Sequence, residues 1–263
     1  MHFVVCIKQV PATTQVQIDP KTGTLKREGV ESIINPFDEY AIEEGIRLKE
    51  RVGGKVTVIT MGPPQAETAL REALSRGCDE AILLTDKSFA GADTWATAYT
   101  LSCAIKILSE PVDLVICGKQ ASDGDTAQVG PSLAEMLDIP HVAYVRKIVE
   151  IKEGYIKVER MLEDGVDVLE MSLPALITVV KEINTPRLPT LKGILAAKKK
   201  QIHVWNKETI NADPDKIGLK GSPTQVMKIF YPPPRQGGQI ITGSDAKEIA
   251  KKLVEKLASH GII

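Results

Sequence analysis

The chain has 263 residues, 43% of them hydrophobic and 25% charged, with 33 basic and 34 acidic side chains and a formal net charge of −1. That balance excludes a nucleic-acid binder that works through general basicity, and no apolar run is long enough to insert in a bilayer. Cys6, Cys78, Cys103 and Cys117 contain no CxxC pair, and no histidine stands at zinc-ligand spacing from a cysteine, so a reduced cytoplasmic protein without a metal site is expected.

The opening stretch MHFVVCIKQV reads as a first strand over residues 3–7 and has neither the basic leader nor the cleavage site of a signal peptide. An insertion at residues 16–26 carries turn residues that suggest a small hairpin. A helix opens at Asn35, a candidate N-cap, with Pro36 at the first helical position and Asp38 and Glu39 at the positive end of its dipole. Strands follow at residues 56–60, 81–84 and 114–117, with an amphipathic helix between Pro63 and Gly77.

Gly118 ends the fourth strand, and a loop rich in small and acidic residues leads to helical spacing of Val129, Leu133, Met136 and Leu137. Gly124 allows close backbone approach, and Asp125 and Thr126 are expected to open a helix whose free N–H groups suit an anion. Strand–helix alternation predicts an α/β fold with an open, mainly parallel nucleotide-binding sheet. Beyond Pro140, turns at Glu153-Gly154 and Asp164-Gly165 predict an antiparallel extension, and residues 175–180 rejoin the main sheet. Packing signals thin out from Asn184, residues 213–238 read as an extended arm, and a last helix is expected over residues 244–258. The expected organisation is a domain over residues 1–200 and a C-terminal arm with helix over 201–263. Pattern alone fits that arm equally to a partner subunit or to its own domain.

Four segments in order carry a resemblance: Cys6 to Val10 (CIKQV); Asn35, Pro36, Phe37 and Asp38 followed by Glu43, Glu44 and Arg47; Gly118, Lys119, Gln120 and Ala121 followed by Asp123, Asp125, Gln128 and Gly130; and Pro186-Arg187 through Leu191 to Lys200. Together they resemble the beta subunit of electron-transfer flavoprotein. The resemblance implies a heterodimer with a flavin-carrying alpha subunit, and either AMP in a structural role or a second FAD in the beta subunit. Residues 89–94, FAGADT, look like the electron-bifurcating branch. In that branch NADH reduces the beta-subunit FAD. One electron then goes to the alpha-subunit FAD and a flavin dehydrogenase of acyl-CoA or 2-hydroxy acid type, the other to ferredoxin or flavodoxin.

By the same resemblance Asn35, Pro36, Phe37, Asp38, Gln120, Ala121, Ser122, Asp123, Gly124, Asp125, Thr126, Ala127, Gln128, Val129 and Gly130 hold adenosine and diphosphate. Cys6 and Met61 lie near the adenine, and Asp93, Thr94 and Thr97 lie on the flavin side. Helix capping by Asn35 and Asp93, and core packing of Cys6 and Met61, are the structural alternatives. No catalytic side chain is expected, because the flavin carries the chemistry. Leu191 is the expected apolar anchor for the dehydrogenase, presented on a protruding loop.

Overall fold

The computed structural model describes residues 1–12, 32–227 and 237–263. The insertion at 16–26 and part of the expected arm, residues 228–236, lie outside them. The chain divides into two units, residues 1–227 and 228–263.

The first unit is built on a nine-stranded sheet in the order β11-β5-β4-β1-β6-β10-β7-β8-β9. Its central strands are β1 (His2–Ile7), β4 (Lys55–Met61), β5 (Glu80–Leu84), β6 (Leu114–Gly118) and β10 (Ala175–Val179). These pair in parallel. Every residue of β1 and β10 is buried, as expected for parallel strands covered on both faces. The antiparallel extension is β7 (His141–Lys152), β8 (Tyr155–Met161) and β9 (Val166–Ser172), with β7 parallel to β10 on its inner side. A two-stranded ribbon, β2 (Gln9–Pro11) and β3 (Ser32–Ile34), stands apart from the sheet.

Alternation along β1 divides the core. Phe3, Val5 and Ile7 pack with α1 (Pro36–Val52) and α2 (Glu67–Arg76); Val4 and Cys6 pack with α3 (Thr94–Lys106) and α4 (Val129–Leu137). Side chains such as Phe3 and Leu133, fully enclosed, contribute on the order of 1.5–3 kcal/mol each. The chain leaves β1 through α1 to β4 and β5, then returns through α3 to β6 on the other side of β1. The β1–β6 boundary is therefore the topological switch point, where open α/β sheets bind ligands beyond the strands' carboxyl ends.

Three sequence expectations shift. The helix after the Gly118 loop begins at Val129, with Gln128 at its N-cap position, and not at Asp125 or Thr126, because both Asp125 and Ala127 adopt positive φ (54° and 55°) and break the helical path. Residues 201–227 belong to the first unit: β11 (His203–Trp205) pairs with β5 at the sheet edge, and Ile210 and Ile217 are buried in the α3 face of the core. Leu191 is not on a loop but opens α5 (Leu191–Lys199), capped by Thr190, which accepts from the Gly193 N–H at 3.0 Å. This helix packs on α2, where Arg71 donates to Ala197 O and Lys200 O, each at 2.7 Å.

In the second unit α6 (Ala246–Ser259) starts at Asp245, which accepts from Glu248 N–H, while the Glu248 carboxylate accepts from Ser244 N–H. Its Leu253 and Val254 are exposed.

Gly130 lies where α4 meets β10, and a Cβ there would stand 2.4 Å from Thr178 Cγ2. Gly130→Ala is expected to cost roughly 1–3 kcal/mol in urea unfolding. Adding Thr178→Ser, which removes that methyl and keeps the hydroxyl, is expected to restore most of the loss; no recovery in the double variant would show that the clash is not the cause.

Candidate functional site

The carboxyl end of β1 is tied to the start of α1 from both sides. Asn35 N–H donates to Lys8 O at 2.8 Å, and Lys8 N–H donates to Asp38 Oδ2 at 2.7 Å. Asn35 occupies the N-cap position, yet its side chain does not cap the helix. Its Nδ2 donates to Gln120 O at 2.8 Å, and its Oδ1 accepts from Ser122 N–H at 3.0 Å. One amide side chain thus holds both edges of the Gly118 loop's first turn.

Asp38 lies beneath that junction, 6% exposed. Burial pushes its carboxyl up to about 7, against the opposing pull of bonds from Asn35, Lys8 N–H and Gly118 N–H and of the Lys8 charge. Gly118 is required here for a steric reason: a Cβ would stand 2.3 Å from Asp38 Oδ1 and 2.7 Å from the Phe37 carbonyl carbon. Above it, Lys8 Nζ pairs with Asp123 Oδ1 at 2.5 Å and offsets a carboxylate that would otherwise repel phosphate. Lys119 Nζ stands 5.9 Å from the Phe37 ring centre and 5.4 Å from that of Tyr144.

The loop is anchored at its start by Lys119 N–H donating to Val179 O, and folded by Asp125 N–H donating to Ala121 O at 2.8 Å. Gln120 Nε2 donates to Asp125 Oδ1. The left-handed backbone at Asp125 and Ala127 is uncommon for residues other than glycine. Among the described residues no acceptor meets the N–H groups of Thr126, Ala127 and Gln128. Such alternation of backbone handedness makes a concavity of N–H groups suited to an anion. Gly124 is exposed and a Cβ there would touch nothing within 4 Å, so its own fold does not demand glycine.

The opposite wall starts where β5 ends. Phe89 is buried, and residues 90–92 follow, with Gly91 at φ 75°. Asp93 caps α3: Oδ1 accepts from Trp95 N–H and Ala96 N–H, each at 3.0 Å. Thr94 Oγ1 donates to Gln128 Oε1 at 3.1 Å and joins this wall to the Gly118 loop. Thr97 is half-buried within the first turn of α3, its N–H donating to Asp93 O.

The structure therefore brings together Asn35, Phe37, Asp38, Gln120, Ser122, Asp123, Asp125, Gln128 and Thr94 at one rim. Cys6 is 7% exposed in the core beneath it, in register with Cys117 on the neighbouring strand. The Cys6 thiol and burial together push the Cys117 thiol up. Met61 ends β4, half-buried. Leu191 lies on α5 and is not joined to this set. Lys8 and Tyr144 are additional rim residues; a lysine placed directly after a fully buried strand is the signal for Lys8, whereas the φ of 60° at Tyr144 leaves no trace in the sequence.

A family model described as "Electron transfer flavoprotein domain" matches residues 22–210. The chain belongs to the electron transfer flavoprotein family. It is 55% identical, over the full length of both chains, to "Electron transfer flavoprotein subunit beta" of Thermoanaerobacterium thermosaccharolyticum. It is 51% identical, again over the full length of both, to "Caffeyl-CoA reductase-Etf complex subunit CarD" of Acetobacterium woodii. It is also 48% identical to "Protein FixA" of Azotobacter vinelandii, covering 98% of this chain and 94% of the relative. These relatives make it an electron transfer flavoprotein beta subunit. The family match contains residues 35–38, 89–97 and 118–130 of the rim and α5, while Cys6 and Lys8 lie before it. No helix among the described residues is long and apolar enough to cross a membrane.

The raised Asp38 carboxyl sets a pH dependence. Folded protein keeps this proton up to about pH 7, whereas the unfolded chain releases it near the ordinary aspartate value. The folded state then binds more protons, so the Asp38 contribution to stability is complete at acid pH and is lost as pH rises through about 7. Urea midpoints measured across that range are expected to lose this slope in Asp38→Asn; an identical slope in both proteins would assign it elsewhere.

Proposed function

We propose that this beta subunit binds FAD at the rim, accepts hydride from NADH and takes part in flavin-based electron bifurcation. The observation that carries the reading is the Thr94–Gln128 bond, which joins the small-residue turn at 90–92 to the anion-binding loop and makes one continuous two-walled rim. The fit to FAD is chemical. Backbone N–H groups at Thr126, Ala127 and Gln128 are suited to a diphosphate, and Lys8 cancels the Asp123 charge beside them. The stretch 35–38 with Cys6 and Met61 would border the adenosine; Gln120, Ala121 and Ser122 would line it, and Val129 and Gly130 would close the loop behind the phosphates. Asp93, Thr94 and Thr97 would border the flavin side. When bound, FAD supplies a two-electron acceptor for hydride that can release electrons singly. The chain's own residues position it, hold its phosphates and limit access of water.

In this reading the protein is cytoplasmic and pairs with an electron transfer flavoprotein alpha subunit, whose FAD receives one electron and passes it to a flavin dehydrogenase of acyl-CoA or 2-hydroxy acid type. The other electron goes to ferredoxin or flavodoxin. The relative CarD, named as part of a caffeyl-CoA reductase complex, supports a reductase as partner. Leu191 is the apolar anchor for that partner: it is 74% exposed, with Leu188 and Leu195 also exposed nearby in sequence.

The second reading is AMP in a structural role with no flavin in this chain. It is favoured by the strut of Asn35 and Asp38, which braces only the adenylate half of the rim.

Nucleotides released from the purified heterodimer are expected to give two FAD per dimer, and NADH alone is expected to bleach the flavin absorbance. One FAD with one AMP would establish the AMP reading instead, and two FAD without bleaching would remove NADH as the hydride donor. Leu191→Ala is expected to slow electron delivery to the dehydrogenase roughly tenfold at unchanged FAD content; an unaltered rate would remove Leu191 from the docking surface.

A further inference from the structure

The carboxylate of Asp93 makes more bonds than a helix cap needs. While Oδ1 caps α3, Oδ2 accepts from Thr224 N–H at 2.9 Å and from Thr224 Oγ1 at 2.8 Å. Asp93 N–H in turn donates to Ser222 Oγ at 2.8 Å, and Ser222 Oγ donates to Gly218 O at 2.7 Å. Four donors satisfy both carboxylate oxygens. Burial alone would raise this carboxyl, but the bonds from Ala96, Thr224 and Trp95 outweigh it and hold Asp93 below the ordinary aspartate range.

The contact between the two segments is close along its length. Leu219 N–H donates to Ala90 O at 3.1 Å. Gly218, at φ 54°, lies so near the 88–90 turn that a Cβ would stand 1.9 Å from Ser88 O. Ile217, just before it, is 2% exposed and belongs to the α3 core. Ile217, Gly218, Leu219, Ser222 and Thr224 lie within the first unit, yet beyond residue 210, where the family match ends.

We infer that Ser222 and Thr224 form a latch that sets the position of Asp93 and Thr94, so that the flavin side of the rim is completed by a segment from beyond the sheet's last strand. This rests on the FAD reading above. Asp93, its carboxylate already filled, is a positioning residue and not a direct ligand. The bonds run from Thr224 to Asp93, through the chain to Thr94, and from Thr94 to Gln128 in the phosphate loop. The adenylate half is braced separately by Asn35 and Asp38. Loss of the latch therefore weakens FAD and spares AMP, a selectivity that a general loss of fold would not produce.

The test uses the full-length chain in its complex with the alpha subunit, with the beta-site nucleotide removed, and measures FAD and AMP affinities separately. Thr224→Val and the double variant Ser222→Ala/Thr224→Val are expected to weaken FAD roughly tenfold or more at unchanged AMP affinity, the scale of a lost bond to a charged group. Thr224→Ser, which keeps the hydroxyl, is expected to restore FAD binding. Lys220→Ala, which removes only an exposed pair with Asp215 in the same segment, is expected to change neither affinity. Equal FAD binding by the parent and both latch variants, or parallel loss of FAD and AMP, would overturn the latch while leaving the FAD reading in place. A parent complex that takes AMP and no FAD would overturn both.

Discussion

The rim depends on one junction: the first turn of α1 pressed against the end of β6. Only a glycine at 118 lets the Asp38 carboxylate and the Phe37 backbone come that near the strand. Asp38 then holds the end of β1 from within the protein, and Asn35 holds the loop from above. Both polar side chains are buried, and these bonds offset part of the cost of desolvating them. The strands supply rigidity, but this small polar cluster decides where the loop stands.

From that junction the two walls of the site follow in sequence. The loop is committed to its path by the bonds of Lys119, Asn35 and Asp125, and past its uncommon backbone at Asp125 and Ala127 the N–H groups of Thr126, Ala127 and Gln128 meet no acceptor among the described residues. Preorganisation of this kind spares a ligand the entropy of ordering the loop. The second wall is ordered by α3, whose cap belongs to the same residue that reaches to Thr224. A single hydroxyl–amide bond, Thr94 to Gln128, unites elements separated by 34 positions.

Much of this organisation was legible in the sequence, for clear physical reasons. Strands buried on both faces write continuous apolar runs, as in HFVVCI and LVICG, and the turns at Glu153-Gly154 and Asp164-Gly165 mark the antiparallel extension of β7, β8 and β9. Asn35 and Pro36 mark a helix start correctly. What Asn35 does with its side chain was not legible, because its partners Gln120 and Ser122 are some 85 residues away. The start of α4 is not legible, since nothing in the string of small residues declares that Asp125 and Ala127 turn left-handed. The three-residue β11 is too short to show a period, and α5 was obscured by its glycine and flanking prolines. Gly193 in that helix is explained by packing alone: a Cβ would stand 2.1 Å from Ser75 O.

Arg71 gives this packing a chemical character of its own. Its guanidinium answers two carbonyls at the end of α5 while also pairing with Glu67 on its own helix. A lysine in its place would keep the charge and forfeit the planar fork, in which Nε and Nη2 pair with Glu67 while Nη1 reaches both carbonyls. The helix that Leu191 opens is therefore fixed at its opposite end, by a residue of α2 that holds the last turn in place.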